Sequence, residues 1–200
     1  DVYKRQQNMK IIVCIKQVPD TTEVKLDPKT GRLIRDGVPS IINPDDKNAL
    51  EEALRIKDEN PDTTVTVVSM GPPQADVAMR EALAMGADEA ILISGREFGG
   101  SDTYATSQIL AAALDTIGLD DDDIVFCGRQ AIDGDTAQVG PQIAEKLEIP
   151  QVSYVADIEK DGDTLTVRRM LEDGYMTVQV QTPCLLTCIK ELNQPRYMSV

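Results

Sequence analysis

The segment CGRQAIDGDTAQVG, from Cys127 to Gly140, sets glycines, two aspartates and a threonine between an apolar run, Asp123 to Phe126, and a helical pattern. Gly128 and Gly134 admit backbone conformations closed to other residues, and Asp135 or Thr136 is suited to cap a helix whose first amides stay free for an anion. Pro141 has to lie in that helix's first turn, because deeper in, its ring would clash. The segment therefore has the build of a phosphate cradle, in which Asp133 or Asp135 suits ribose hydroxyls or capping, since carboxylates repel phosphate. A plain capped strand-to-helix turn accounts for the same residues.

Three further loops share this position after an apolar run: Cys14 to Asp20, Asn43 to Asp46, and Met70 to Pro73. In NPDD, helix initiation explains every residue: Asn43 caps, Pro44 fits the first turn, and Asp45 and Asp46 complement the dipole. SMGPP reads as a turn and a helix start. Neither GxGxxG nor GxxxxGK[ST] occurs, so the standard dinucleotide and P-loop fingerprints do not apply. Together, on one edge of one sheet, the loops outline a nucleotide-sized crevice. Asp102, Thr103 and Thr106 are weaker candidates, better explained by capping of their helix. The four aspartates Asp120 to Asp123 read as a solvated turn at the opposite edge.

The chain has no histidine. That removes the commonest general base and metal ligand, and with it zinc sites and His-dependent hydrolytic triads. Cys14, Cys127, Cys184 and Cys188 all fall in or beside apolar runs without CxxC spacing, so they are expected as buried, reduced thiols of a cytosolic protein.

The elements that position these loops alternate. Ile11–Lys16, Thr64–Met70, Glu89–Ser94 and Asp123–Gly128 are short apolar runs typical of strands buried on both faces. Between them lie helical patterns: Ala49, Leu50, Ala53 and Leu54 on one face, Pro73 to Met85 stopping at Gly86, and Ile109, Leu110, Ala113, Leu114 and Ile117 stopping at Gly118. Such alternation implies right-handed crossovers and a parallel sheet. Val24 to Ile34 reads as a hairpin around PKTG, inserted after the first strand. After Pro150 the pattern becomes two strands turning at Asp161–Asp163, an alternating strand in GYMTVQVQ and the apolar CLLTCI. The fold class is α/β, a Rossmann-like parallel sheet with flanking helices, extended by antiparallel strands.

With 200 residues, 42% of them hydrophobic, the chain suits one domain with a substantial core. A formal charge of -14 disfavours nucleic acid and anionic lipid as partners, and no apolar run reaches the ~20 residues that span a bilayer. The protein is expected to be soluble and cytoplasmic. DVYKRQQN, residues 1–8, lacks the apolar core of a signal peptide and is expected to be a non-native leader, with residues 9–200 as the single domain. The ending KELNQPRYMSV has no closing element and reads as a truncation.

The stretches VCIKQVPD, DGVPSIINPDDKNALEEALRIKD, VVSMGPPQADVAMREALAMGADEAILIS, CGRQAIDGDTAQVGPQIAEKL and LNQPRY resemble the β subunit of electron transfer flavoproteins from Met9 to Val200. The resemblance implies an adenine-nucleotide-binding domain that pairs with an FAD-carrying α subunit. It carries over a cofactor site at Cys14, at Asn43, Pro44, Asp45 and Asp46, at Met70, and at Gly128, Arg129, Gln130, Ala131, Ile132, Asp133, Gly134, Asp135, Thr136, Ala137, Gln138 and Val139. Backbone amides of Gln130–Asp135 and Thr136–Gln138 are expected on the phosphates, with the Thr136 hydroxyl, and Arg129 on a phosphate or the flavin. Respiratory members hold AMP as a structural group; bifurcating members of anaerobes hold a second FAD. DGDTAQVGP, KQVPDT and GGSDTYATS resemble the bifurcating group. In that group NADH reduces the β-site FAD, one electron passes to the α-subunit FAD and an acyl-CoA dehydrogenase, and the other to ferredoxin or flavodoxin. Met176 departs from the family's usual Glu or Gln, and the family's partner-recognition loop and C-terminal arm are expected beyond Val200.

Overall fold

A computed structural model of the chain describes residues 8–20, 25, 26, 28, 29, 33, 34 and 39–199. In chain order its elements are β1 (Lys10–Cys14), β2 (Gln17–Pro19), β3 (Lys25–Leu26), β4 (Leu33–Ile34), β5 (Ser40–Ile42), α1 (Pro44–Glu59), β6 (Thr64–Met70), α2 (Asp76–Met85) and β7 (Glu89–Ile93). There follow α3 (Thr103–Ile117), β8 (Ile124–Gly128), α4 (Val139–Lys146), β9 (Gln151–Asp161), β10 (Thr164–Met170), β11 (Tyr175–Gln181) and β12 (Cys184–Cys188).

Eight strands form one sheet in the order β11-β10-β9-β12-β8-β1-β6-β7. From β7 to β9 every neighbouring pair is parallel; the β9–β10 and β10–β11 pairs are antiparallel. The central strands are apolar throughout because helices cover both faces. One core layer, with Ile11, Val13, Phe126 and Leu186 from the strands, packs under α1 and α2. The other, with Ile12, Val68, Val125 and Leu185, packs under α3 and α4. Gly86, at φ 129°, ends α2 where a side chain would be strained.

The architecture expected from the sequence is present, with one difference in topology. CLLTC does not prolong the antiparallel ribbon but returns as β12 between β8 and β9, parallel to both. Its five residues are all buried, so they satisfy the two-faced burial that only a central strand offers. The hairpin is present as β3 paired with β4, while the rest of Val24–Ile34 apart from Pro28 and Lys29 lies outside the described residues. The unforeseen pairing of β2 with β5 closes its base. Residues 1–7 and 200 also lie outside the described residues. Among the described residues no helix is long and apolar enough to cross a membrane.

Candidate functional site

Strand order reverses at β1: β6 and β7 lie on one side of it, β8, β12 and β9 on the other. Open α/β sheets bind ligands outside the carboxyl ends of strands at such a point. A cavity of about 1180 Å³ opens there, at or above the top of the roughly 300–1,000 Å³ usual for small-molecule sites. Cys14, Met70, Leu110, Cys127 and Val139 give it an apolar floor, and the loops after β1, β6, β7 and β8 wall it.

Asp46 braces the base. It is buried in the first turn of α1 and accepts hydrogen bonds from the Lys16 amide at 2.8 Å and the Gly128 amide at 2.9 Å, joining the ends of β1 and β8. Burial outweighs these bonds and pushes its carboxyl up to about 7. Gly128 is required here by space: a Cβ would overlap the Asp46 carboxylate and lie 2.6 Å from the Asp46 nitrogen and 2.8 Å from the Asp45 carbonyl carbon. Gly134 meets nothing within 4 Å and has no positive φ. The left-handed conformations expected at these glycines occur instead at Asp135 (φ 50°) and Ala137 (φ 53°).

Asn43 precedes α1 but makes no side-chain cap. Its amide nitrogen donates to the Gln130 carbonyl at 2.8 Å and its oxygen accepts from the Ile132 amide at 3.0 Å, clamping the loop after β8. Asp45 faces Arg129, with Nε 3.4 Å from its carboxylate, and the guanidinium lies 5.6 Å from the Tyr154 ring centroid. Burial raises the Asp45 carboxyl; Arg129 opposes that shift. NPDD is thus more than a helix start.

The structure separates the sequence candidates into two groups. Cys14, Asp46, Met70, Gly128–Ala131 and Gly134–Val139 line the cavity; Asn43, Pro44, Asp45, Ile132 and Asp133 do not. Asn43 is turned to the loop backbone, Asp45 to Arg129, and Asp133 outward to Lys16 at 2.7 Å. Neither Asp135 nor Thr136 caps α4: the helix starts at Val139 without a side-chain cap, and Asp135 accepts from Gln130 Nε2 at 2.8 Å. Pro141 lies in its first turn as expected.

The amides also divide. Those of Ile132, Gly134 and Asp135 already donate to Asn43 or Ala131, and that of Gln130 helps oppose the upward shift of the Asp45 carboxyl. The amides of Thr136, Ala137 and Gln138 donate to no protein acceptor among the described residues. With left-handed residues at 135 and 137, they form a concave run of free N–H groups at a helix start, the kind of backbone nest that takes an anion.

Asp102 caps α3 by accepting from the Ala105 amide at 2.8 Å, as expected, and Thr103 donates from its hydroxyl to Gln138 Oε1 at 2.9 Å, tying α3 to the loop before α4. Sequence reasoning missed the wall after β7, where Ser94–Ser101 brings Arg96 and Phe98 to the cavity. Its signal was available: Gly95, Gly99 and Gly100 follow an apolar strand, as in the other loops.

Residues 30–199 match the model of the electron transfer flavoprotein domain. The chain is 67% identical over 192 residues to an electron transfer flavoprotein subunit beta of Clostridium acetobutylicum, covering 96% of this chain and 73% of that protein. It is 64% identical over 192 residues to the caffeyl-CoA reductase-Etf complex subunit CarD of Acetobacterium woodii, covering 96% and 72%. A third relative, the acryloyl-CoA reductase electron transfer subunit gamma of Anaerotignum propionicum, is 60% identical over 194 residues, with 96% and 72% covered.

Proposed function

The chain belongs to the electron transfer flavoprotein family, as a β subunit, and from that premise we propose that its crevice holds FAD and that it works with an α subunit in electron bifurcation. The observation that carries the reading is the size and make-up of the crevice. At about 1180 Å³ it has room for a dinucleotide, with an apolar floor for rings and free amides at Thr136–Gln138 for the pyrophosphate. Two of the relatives, a caffeyl-CoA reductase-Etf complex subunit and an acryloyl-CoA reductase electron transfer subunit, support the same reading.

In this reading Asn43 and Asp46 hold the loop after β8 against β1, so the free amides are fixed before the ligand arrives. Lys16, Arg96 and Arg129 place positive charge around a strongly acidic chain's crevice, offsetting repulsion of an anionic ligand. Thr103 and Gln138, both on the cavity wall, join the starts of α3 and α4. A bound flavin supplies hydride uptake from NADH and its division into single electrons, one for the α-subunit FAD and an acyl-CoA dehydrogenase, one for ferredoxin or flavodoxin. The location that suits these partners is the cytoplasm.

The test is to purify the full heterodimer, denature it and identify the released nucleotides by chromatography. Two FAD per heterodimer is expected. One FAD plus one AMP would overturn the bifurcating reading and leave a plain electron shuttle.

A further inference from the structure

Cys14 and Cys127 are register partners on the adjacent parallel strands β1 and β8, so their side chains leave the sheet side by side on the same face. Both line the crevice floor, both are free, and each keeps a few per cent of its surface open to the cavity. The other two cysteines, Cys184 and Cys188, belong to the core layer on the opposite face and have no exposed surface. Cys14 and burial together push the Cys127 thiol well above its ordinary range, which disfavours single-thiol reactions that need a thiolate. Among the described residues no group of three or more His, Cys, Asp or Glu side chains forms a metal cage. A pair of thiols without further ligands suits a centre that needs two sulfurs and brings its remaining ligand with it.

We propose that Cys14 and Cys127 form a dithiol site for trivalent organoarsenicals at the crevice floor, one that the nucleotide covers when bound. The covering clause rests on the function proposed above; the dithiol itself does not. An arsenoxide, R–As=O, condenses with both thiols. Two S–H bonds break, two As–S bonds form, and both protons leave with the oxide oxygen as one water. Arsenic stays trivalent and no sulfur is oxidised. Once one sulfur is attached, the second is held beside it, so the bridged adduct exceeds a single-thiol adduct in affinity on the order of 100-fold.

The full heterodimer, stripped of nucleotide, is treated with phenylarsine oxide and this chain's peptides are mapped by mass spectrometry without reduction. One phenylarsenic group is expected, bridging the Cys14 and Cys127 peptides, released by dimercaptopropanol but not by a monothiol. Cys14→Ser and Cys127→Ser each lose the bridge and on the order of 100-fold in affinity. Should either serine variant fail to fold, Cys14→Ala and Cys127→Ala replace them. No adduct, or one that survives in both single variants, overturns the site. Saturating FAD is expected to protect both thiols. A bridge that forms equally fast with FAD bound would keep the dithiol and overturn the placement of the nucleotide above it.

Discussion

The two acidic runs of this chain, NPDD and DDDD, each bury their last aspartate, one at each end of the sheet, and the two are treated differently. Asp123, below the amino end of β8, accepts from the amides of Lys10 at 2.7 Å and Asp120 at 2.9 Å, and the Lys10 amine stands 3.3 Å away. Asp46, at the crevice, accepts from two strand-end amides and has no cation in ion-pair range among the described residues. The first end is electrostatically closed. The second holds a carboxyl whose pKa burial raises to about 7, in a crevice whose lining also includes the Thr136–Gln138 amides, which have no protein acceptor among the described residues. Stability is built at one end; at the other, polar groups are held in place for something to bind.

The largest effect expected from this contrast is at Gly128. Gly128→Ala drives a methyl into the α1 backbone and costs about 3 kcal/mol, with loss of nucleotide from the crevice, whereas Gly134→Ala changes stability by less than about 0.5 kcal/mol. Denaturant titration of both variants checks this; equal effects would break the distinction between a packed and an open glycine. Next, Asp123→Ala leaves the Lys10 and Asp120 amides without their acceptor and takes the ion-pair partner from the Lys10 amine, which keeps the Gly118 carbonyl at 2.7 Å; the same titration is expected to show a cost of about 2–3 kcal/mol.

Asp46 should make the stability of the crevice end depend on pH. Its folded pKa, about 7, lies above the ordinary carboxylate value of 3.8, so folding takes up a proton between these values. The stability it contributes is full below the lower value and is lost as pH rises through about 7. Asp46→Asn has no such proton. The stability gap between wild type and variant is therefore expected to narrow from pH 4 to pH 8, and a constant gap in thermal melts would refute the assignment. Smaller again, Asn43→Ala removes both loop clamps and costs about 1–2 kcal/mol, with weaker FAD binding read by fluorescence. Smallest is Lys16→Ala or Asp133→Ala, which breaks a largely exposed ion pair worth under about 1 kcal/mol and loses its effect at high salt.

Much of this was readable from residue order alone. Apolar runs such as TVTVVSM and DIVFCG announced buried parallel strands, and Gly86 and Gly118 marked helix ends because only the C-terminal turn rewards glycine there. Tertiary roles of short polar residues were not readable. Asn43 has every local attribute of a cap, yet its amide reaches a loop 87 residues away, and a carboxylate in an acidic run looks solvated until a distant amide takes it. The loop expected as a cradle bends where the sequence did not point: its left-handed residues are Asp135 and Ala137, not its glycines. β12 escaped because an apolar pentapeptide does not say which neighbours it will have.

That last strand also sets the order of assembly. β8, which carries the crevice loop, has β1 on one side and β12 on the other, and β12 leaves the ribosome after every other described strand of the sheet. Until residues 184–188 arrive, β8 is an apolar edge and β9 has no parallel neighbour to hold it. Closure of the sheet is thus a late, long-range event, one that slows folding. The growing chain has to keep its first half from pairing with other chains while it waits for a five-residue keystone.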